Sequence, residues 1–219
     1  MDVNDLRLQN PFRLMLAGSS GCGKTTKTLK LLQNAESVFS DPRCMQNVIY
    51  FYKQDQSFFK DFKPYVHKWV NQLPNEELIE SLANPYKDSG GSIMILDDFQ
   101  NNITTDIENL FAAGSHHLNI SVILIVQNLF YKEIRHVAGN VQYMIVFRNP
   151  RAASQFRILA QQLTAGSYKW LLDSFLDATS KPYSYIFIDS HQDSPEVIKY
   201  RTNIFADEGE MIVYKKRGD

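Results

Sequence analysis

Apolar residues along this chain gather in short continuous runs, separated by longer stretches in which apolar positions recur every three or four residues. The runs at Arg13–Ala17, Val48–Tyr52, Ile93–Leu96, Val122–Val126, Met144–Phe147 and Tyr185–Ile188 predict β-strands. Several are apolar at every position rather than at alternate ones, as parallel strands covered on both faces are. Between them the helical period predicts helices over Lys24–Asn34, Asn75–Ala83, Thr105–Ala113, Tyr131–Val137, Ala152–Leu163 and Ser167–Ala178. Asn75 or Pro74 is a helix start signal, and Pro150-Arg151 delays the helix that follows the Met144 strand. Strands alternating with helices predict an α/β fold, a three-layer domain around a mostly parallel central sheet.

Regularity drops between Lys53 and Pro85, a stretch rich in Lys, Asp, Asn and aromatics in which one short strand, Tyr65–Val70, and peripheral helices are expected. Asp88-Ser89-Gly90-Gly91-Ser92 reads as a turn feeding the Ile93 strand. Toward the C-terminus, Tyr185–Ile188, Ile198–Asn203 and Met211–Tyr214 predict a terminal hairpin or edge strands, followed by the brief basic tail Lys215-Lys216-Arg217. No internal repeat or low-complexity linker interrupts the pattern. The expected organisation is an N-terminal extension over residues 1–12, a single nucleotide-binding domain over 13–205, and a C-terminal tail or edge strand over 206–219.

Composition narrows the class. A chain of 219 residues with 44% hydrophobic and 12% aromatic content is globular and long enough to bury a sizeable core. A net charge of −1 excludes a global basic field, so any nucleic-acid contact must come from a local patch or from combined subunits. Cys22 and Cys44 have no metal-ligand spacing and make no disulfide framework, which points to a reducing compartment. Met1 to Pro11 lacks the apolar core of a signal peptide, and runs such as Ser121–Val126 are too short to cross a bilayer. A soluble, intracellular protein without a membrane segment is expected.

The chemistry begins at Gly18-Ser19-Ser20-Gly21-Cys22-Gly23-Lys24-Thr25, a full match to G-x-x-x-x-G-K-[ST]. It follows the strand residues Leu14-Met15-Leu16 and opens a helix that continues from Thr26 to Leu32. Glycines at this spacing let backbone N–H groups turn into a concavity that holds phosphate, and the helix N-terminus adds partial positive charge. Lys24 bridges β- and γ-phosphate oxygens, the Thr25 hydroxyl holds Mg²⁺, and Cys22 serves as a small spacer. ATP and Mg²⁺ are the expected ligands. Next, Ile93-Met94-Ile95-Leu96-Asp97-Asp98 is a strand ending in two acids, at the sheet edge where ligands bind. Asp97 is the candidate for holding Mg²⁺, mostly through water, and Asp98 the candidate general base toward the attacking water. Two acids here favour a hydrolase over a small-molecule kinase.

A third strand, Val122-Ile123-Leu124-Ile125-Val126, ends in Gln127-Asn128, which brings an amide to the same edge to sense γ-phosphate or orient the water. Hydrolysis also needs positive charge, commonly an arginine from a neighbouring subunit. Arg135, Arg148, Arg151 and Arg157 are candidates, with Arg148 and Arg151 preferred because they flank Asn149-Pro150 just after a strand. His116-His117 is expected in a solvated turn. Lys53, Lys60, Lys63 and Lys68 interleave with Tyr52, Phe58, Phe59, Phe62, Tyr65 and Trp69; this suits nucleic-acid contact, although an aromatic-rich subdomain with solvated lysines fits somewhat better.

This order of motifs resembles the FtsK/HerA superfamily of DNA-pumping ATPases. The segments His116-His117-Leu118-Asn119-Ile120-Ser121-Val122 through Val126-Gln127-Asn128-Leu129-Phe130, then Phe147-Arg148-Asn149-Pro150-Arg151, and Tyr200-Arg201-Thr202-Asn203-Ile204-Phe205 look like viral genome-packaging ATPases. The likeness runs from Arg13 to Phe205 and is nearest to those of Polinton/Maverick elements and adintoviruses, distant kin of the poxvirus packaging ATPase. It implies a homo-oligomeric ring, hexameric or pentameric, that drives double-stranded DNA into a capsid through a capsid or portal-type partner. The setting implied is a virus assembly site in the nucleus or cytoplasm, or the virion. Two features depart from the superfamily. In the superfamily the strand that corresponds to Ile93–Asp98, the Walker B motif, usually ends in Asp-Glu, whereas Asp98 is one methylene shorter; and Leu118 stands where many members carry a basic finger residue. A helicase or conjugation-type motor, or a nucleotide-controlled scaffold that pumps nothing, are the rival readings.

Overall fold

The computed structural model describes residues 6–54, 56–129, 134–149 and 153–216. It contains one sheet in the order β3-β2-β4-β5-β1-β6-β7-β8-β9. In chain order the strands are β1 (Arg13–Ala17), β2 (Val48–Phe51), β3 (Lys68–Val70), β4 (Ser92–Asp97), β5 (Ile120–Val126), β6 (Tyr143–Phe147), β7 (Tyr185–Asp189), β8 (Tyr200–Thr202) and β9 (Ile212–Tyr214). The helices are α1 (Lys24–Gln33), α2 (Ala35–Val38), α3 (Phe59–Phe62), α4 (Glu76–Ala83), α5 (Thr105–Asn109), α6 (Ser115–His117), α7 (Arg135–Ala138), α8 (Ala153–Leu163) and α9 (Lys169–Ala178).

From β3 to β6 all pairings are parallel, and the continuous apolar runs are explained by burial on both faces. Alternate residues divide between two cores. Met15, Met94, Leu124 and Val146 face the layer that includes α4, α8 and α9, while Leu14, Leu16, Ile95, Ile125 and Ile145 face the α1 layer. Among the described residues no helix is long and apolar enough to cross a membrane.

From β6 onward the sheet turns antiparallel. The connection explains it. A single helix between two strands returns the chain to the starting edge and gives a parallel neighbour, but α8 and α9 descend and climb again. The chain therefore re-enters the sheet at the edge it left, and β7 runs down against β6. The C-terminal strands β8 and β9 extend this edge as the expected terminal strands.

The expected helix over Thr105–Ala113 runs further than its pattern. After α5 the backbone widens into a π-helical turn over Leu110–Gly114 and finishes in α6, so His116 and His117 lie in a last helical turn rather than in a loop. Gly114 sits inside this helix with ordinary helical angles and does not stop it. Of the two expected start residues, Pro74 and Asn75, it is Asn75 whose side chain caps α4, accepting from the Leu78 N–H at 2.9 Å. The expected helix from Tyr131 lies partly outside the described residues; α7 is its described part.

In the Lys53–Pro85 region, Tyr50, Tyr52, Phe58, Phe59, Phe62 and Trp69 pack ring against ring at 4.5 to 6.1 Å around the β2 edge. Lys60, Lys63 and Lys68 are exposed around them. This is a small aromatic core with solvated lysines. The Tyr200–Phe205 segment also has a packing reason: Arg201, 1% exposed, pairs with Asp189 at 3.3 Å and donates to the Ile198 carbonyl at 2.6 Å.

Candidate active site

All the parallel strands end at one edge, and β5 lies between β4 and β1. Register pairs Leu16 with Ile125 and Ile125 with Asp97. Two strand spacings of about 4.8 Å therefore put the last residue of β4 roughly 10 Å from the end of β1. This distance leaves room for phosphates between the loop after β1 and the acids after β4.

The loop from Gly18 to Thr25 needs its glycines. A Cβ on Gly18 would lie 2.6 Å from Cys22 Sγ and 2.8 Å from Phe147 Cβ, so the loop can run this close to β6 with glycine alone. Gly23 caps α1 in the left-handed region, at φ 104°. Cys22 is tucked against Gly18, and burial raises its thiol above the ordinary value while Lys24 opposes the shift. Lys24 is folded back onto the loop, with Nζ donating to the Gly18 carbonyl at 2.6 Å and the Ser19 carbonyl at 3.0 Å. Burial lowers its pKa; the charges of Cys22, Asp97 and Asp98 oppose that.

Asp97 is 8% exposed and accepts a 2.8 Å hydrogen bond from the hydroxyl of Tyr50, its neighbour on β2. Burial raises the Asp97 carboxyl above its ordinary value; the Tyr50 donor and Lys24 pull it down, and Asp98 pushes it up. Asp98 is exposed and adopts φ 65°, a left-handed conformation that aspartate tolerates better than most residues. Gln127 follows β5, its side chain exposed and its N–H donating to Gln100 Oε1 at 2.6 Å. Gln100 is buried, and it ties the loop after β4 to the end of β5.

These elements surround one cavity of about 340 Å³, lined by Ser20, Gly21, Gly23, Lys24, Thr25, Thr26, Asp97, Asp98 and Gln127, with Gln56, Ile125, Val126 and Tyr183 completing it. Thus the loop, both acids and the glutamine meet in one place. A metal could be held by Thr25 and Asp97, both on its wall, with nucleotide and water oxygens supplying the rest; this fits Mg²⁺, which takes few direct carboxylates. Among the described residues no cluster of three or more His, Cys, Asp or Glu side chains could hold a metal alone.

No protein-family model and no curated protein sequence matches this chain. Among solved structures, the DNA-packaging ATPase of Sulfolobus Turreted Icosahedral Virus superposes with a TM-score of 0.53 at 16% identity, covering 94% of this chain and 98% of that one. The cytoplasmic domain of the type VII secretion ATPase EccC of Thermomonospora curvata gives 0.53 at 16% identity, over 83% of this chain and 24% of that one. The fold is an ATPase fold.

The arginines are arranged differently from the other candidates. Arg148 is exposed at the end of β6 and is not part of the cavity wall. Arg157, on α8, lies over the Tyr168 ring at 5.2 Å. Arg135 falls on α7, with its side chain outside the described part, and Arg151 lies outside the described residues. The chain pattern did not reveal Tyr50, Gln56, Gln100 or Tyr183. Only the Pro182-Tyr183 pair carried a trace, as a turn signal ahead of β7.

The helix behind the loop is anchored from the far side. Lys27 forms an ion pair with Glu208, Lys30 pairs with Asp207 at 2.6 Å, and the Tyr185 hydroxyl donates to Glu208 at 2.5 Å. The turn before β9 thereby holds α1.

Proposed function

We propose that this chain is an ATP-hydrolysing motor that moves double-stranded DNA, packaging a viral or virus-like genome into a capsid. The observation that carries hydrolysis is the meeting of the Gly18–Thr25 loop, Asp97, Asp98 and Gln127 around one cavity. The motif order and the near end-to-end likeness in fold to a virus's DNA-packaging ATPase support the finer reading.

Backbone N–H groups of the loop, with Ser19, Ser20 and Thr26 at its margins, would receive the phosphates. Lys24 would exchange the Gly18 and Ser19 carbonyls for β- and γ-oxygens, a short swing for a side chain already aimed across the loop. Thr25 and Asp97 would hold Mg²⁺, whose charge, when it is bound, stabilises the developing negative charge on the transferred group. Asp98, exposed on the cavity wall just past the buried strand, accepts the proton of the attacking water. Gln127 orients that water and reports loss of the γ-phosphate. Arg148 or Arg151 of a neighbouring subunit completes the charge balance in a hexameric or pentameric ring.

The deciding experiment is the ATPase rate against protein concentration, with and without duplex DNA. Turnover that rises faster than linearly with concentration, and further with duplex DNA, supports a shared site on a DNA motor. Preferential stimulation by single strands would favour a helicase or conjugation-type motor. Slow turnover indifferent to DNA would leave the non-pumping scaffold.

A further inference from the structure

Tyr183 stands where neither backbone conformation nor core packing favours a tyrosine. The turn Lys181–Ser184 leads from α9 into β7. Within it the Ser184 N–H and hydroxyl both return to the Lys181 carbonyl, at 3.3 and 2.6 Å. Pro182 takes the second position, and Tyr183 takes the third at φ 63°, the place glycine or asparagine fills in such turns. The ring gains little burial in return: at 69% exposed it is the most open large hydrophobic among the described residues. An unrelieved strained conformation of this kind points to a role at the site it serves.

The location supplies that role. Because α8 and α9 return the chain to the edge where β1 ends, the turn before β7 arrives beside the phosphate loop. Tyr183 lines the same cavity as Thr25 and Thr26, and its Cδ1 lies 3.5 Å from where a Cβ on Gly23 would be. We propose that the Tyr183 ring is the platform on which the nucleobase stacks, which makes this rim the nucleoside end of the site. The inference rests on the cavity being a nucleotide site. Stacking uses the π-face that every base has, so this contact binds purines without choosing strongly between adenine and guanine.

The test compares binding of ADP and of inorganic tripolyphosphate, both with Mg²⁺, to wild type, Tyr183→Ala, Tyr183→Phe and Tyr183→Gly by calorimetry. Tyr183→Ala and Tyr183→Gly are expected to weaken ADP about 5- to 150-fold, the range measured for lost base–aromatic stacking, and to leave tripolyphosphate within about 2-fold. Tyr183→Phe keeps ADP binding. Tyr183→Gly also melts higher than wild type, because the strain is relieved, which a merely structural tyrosine would not allow. Equal weakening of both probes would overturn the proposal and make the ring a support of the loop. Unchanged ADP binding would overturn it too, leaving the ring to serve elsewhere, as against another copy of the chain. Wild type binding neither probe would sink the nucleotide-site reading itself, a result distinct from either.

Discussion

Replacing Tyr50 with phenylalanine removes one O–H group and leaves the ring in place. That O–H is the 2.8 Å donor to Asp97, from a fully buried ring to a largely buried carboxylate. A hydrogen bond to a charged acceptor is worth about 1.5–3 kcal/mol, against about 0.5–1.5 for a neutral pair. In a domain of this size each kcal/mol moves the melting temperature by about 2–4 °C, so Tyr50→Phe is expected to lower it by about 3–12 °C at neutral pH. In an Asp97→Asn background the same change deletes only a neutral bond, and the coupling between the two positions should be about 1–1.5 kcal/mol. Losing the donor also lets Asp97 hold its proton more strongly, so the acid limb of the ATPase profile moves to higher pH. Trp69, stacked on the Tyr50 ring at 5.1 Å, provides the control: its emission should not change if the ring has stayed put. An equal loss of stability in both backgrounds, or an unmoved acid limb, would refute the assignment of Tyr50 as the group that holds the Asp97 carboxylate.

Asp98→Asn should cut kcat by about 10²–10⁴ while leaving the melting temperature near that of wild type, since asparagine tolerates the same left-handed backbone; unchanged kcat would rule out Asp98 as base. Asp97→Asn should raise the melting temperature of the nucleotide-free protein at neutral pH while abolishing Mg²⁺-dependent turnover. A carboxyl raised in the fold contributes stability that is complete below its unfolded value near 3.8 and lost as pH rises through the folded value, so the gain should shrink as pH falls below the folded value and vanish only on acidification below about 3.8. Arg201→Met leaves Asp189 buried without its partner and should cost about 3–5 kcal/mol, read by chemical denaturation; a cost under about 1 kcal/mol would mean the pair contributes little.

Much of the site was legible because its chemistry is local. Glycine spacing, a following lysine and threonine, and an apolar run ending in acids are signals that lie within a few residues of each other. What stayed hidden depends on neighbours distant in the chain. Tyr50 sits in an apolar run and looks like any core aromatic; its partner is fixed by the β2–β4 register. Gln100 meets Gln127 only because β4 and β5 pair side by side. The antiparallel β7 follows from two helices in one connection, which strand periodicity does not encode. The helix through Leu110–Gly114 outran its expected end at Ala113 because a widened turn let it pass Gly114. Arg201 was visible as part of a family-like segment, but its burial against Asp189 was not.

The close approach of Gly18 to Phe147 has a mechanical consequence. The missing side chain on one and the buried ring of the other leave no slack between the phosphate loop and the end of β6. Packed interiors transmit displacement instead of absorbing it. A loop that shifts when phosphate arrives or departs must therefore carry Phe147 with it, and the next residue along is Arg148. If the ring proposed above forms and Arg148 is the arginine it shares, occupancy of one pocket and the presentation of that arginine to the adjacent pocket would be a single movement, and firing order would follow from rigid geometry with no separate messenger.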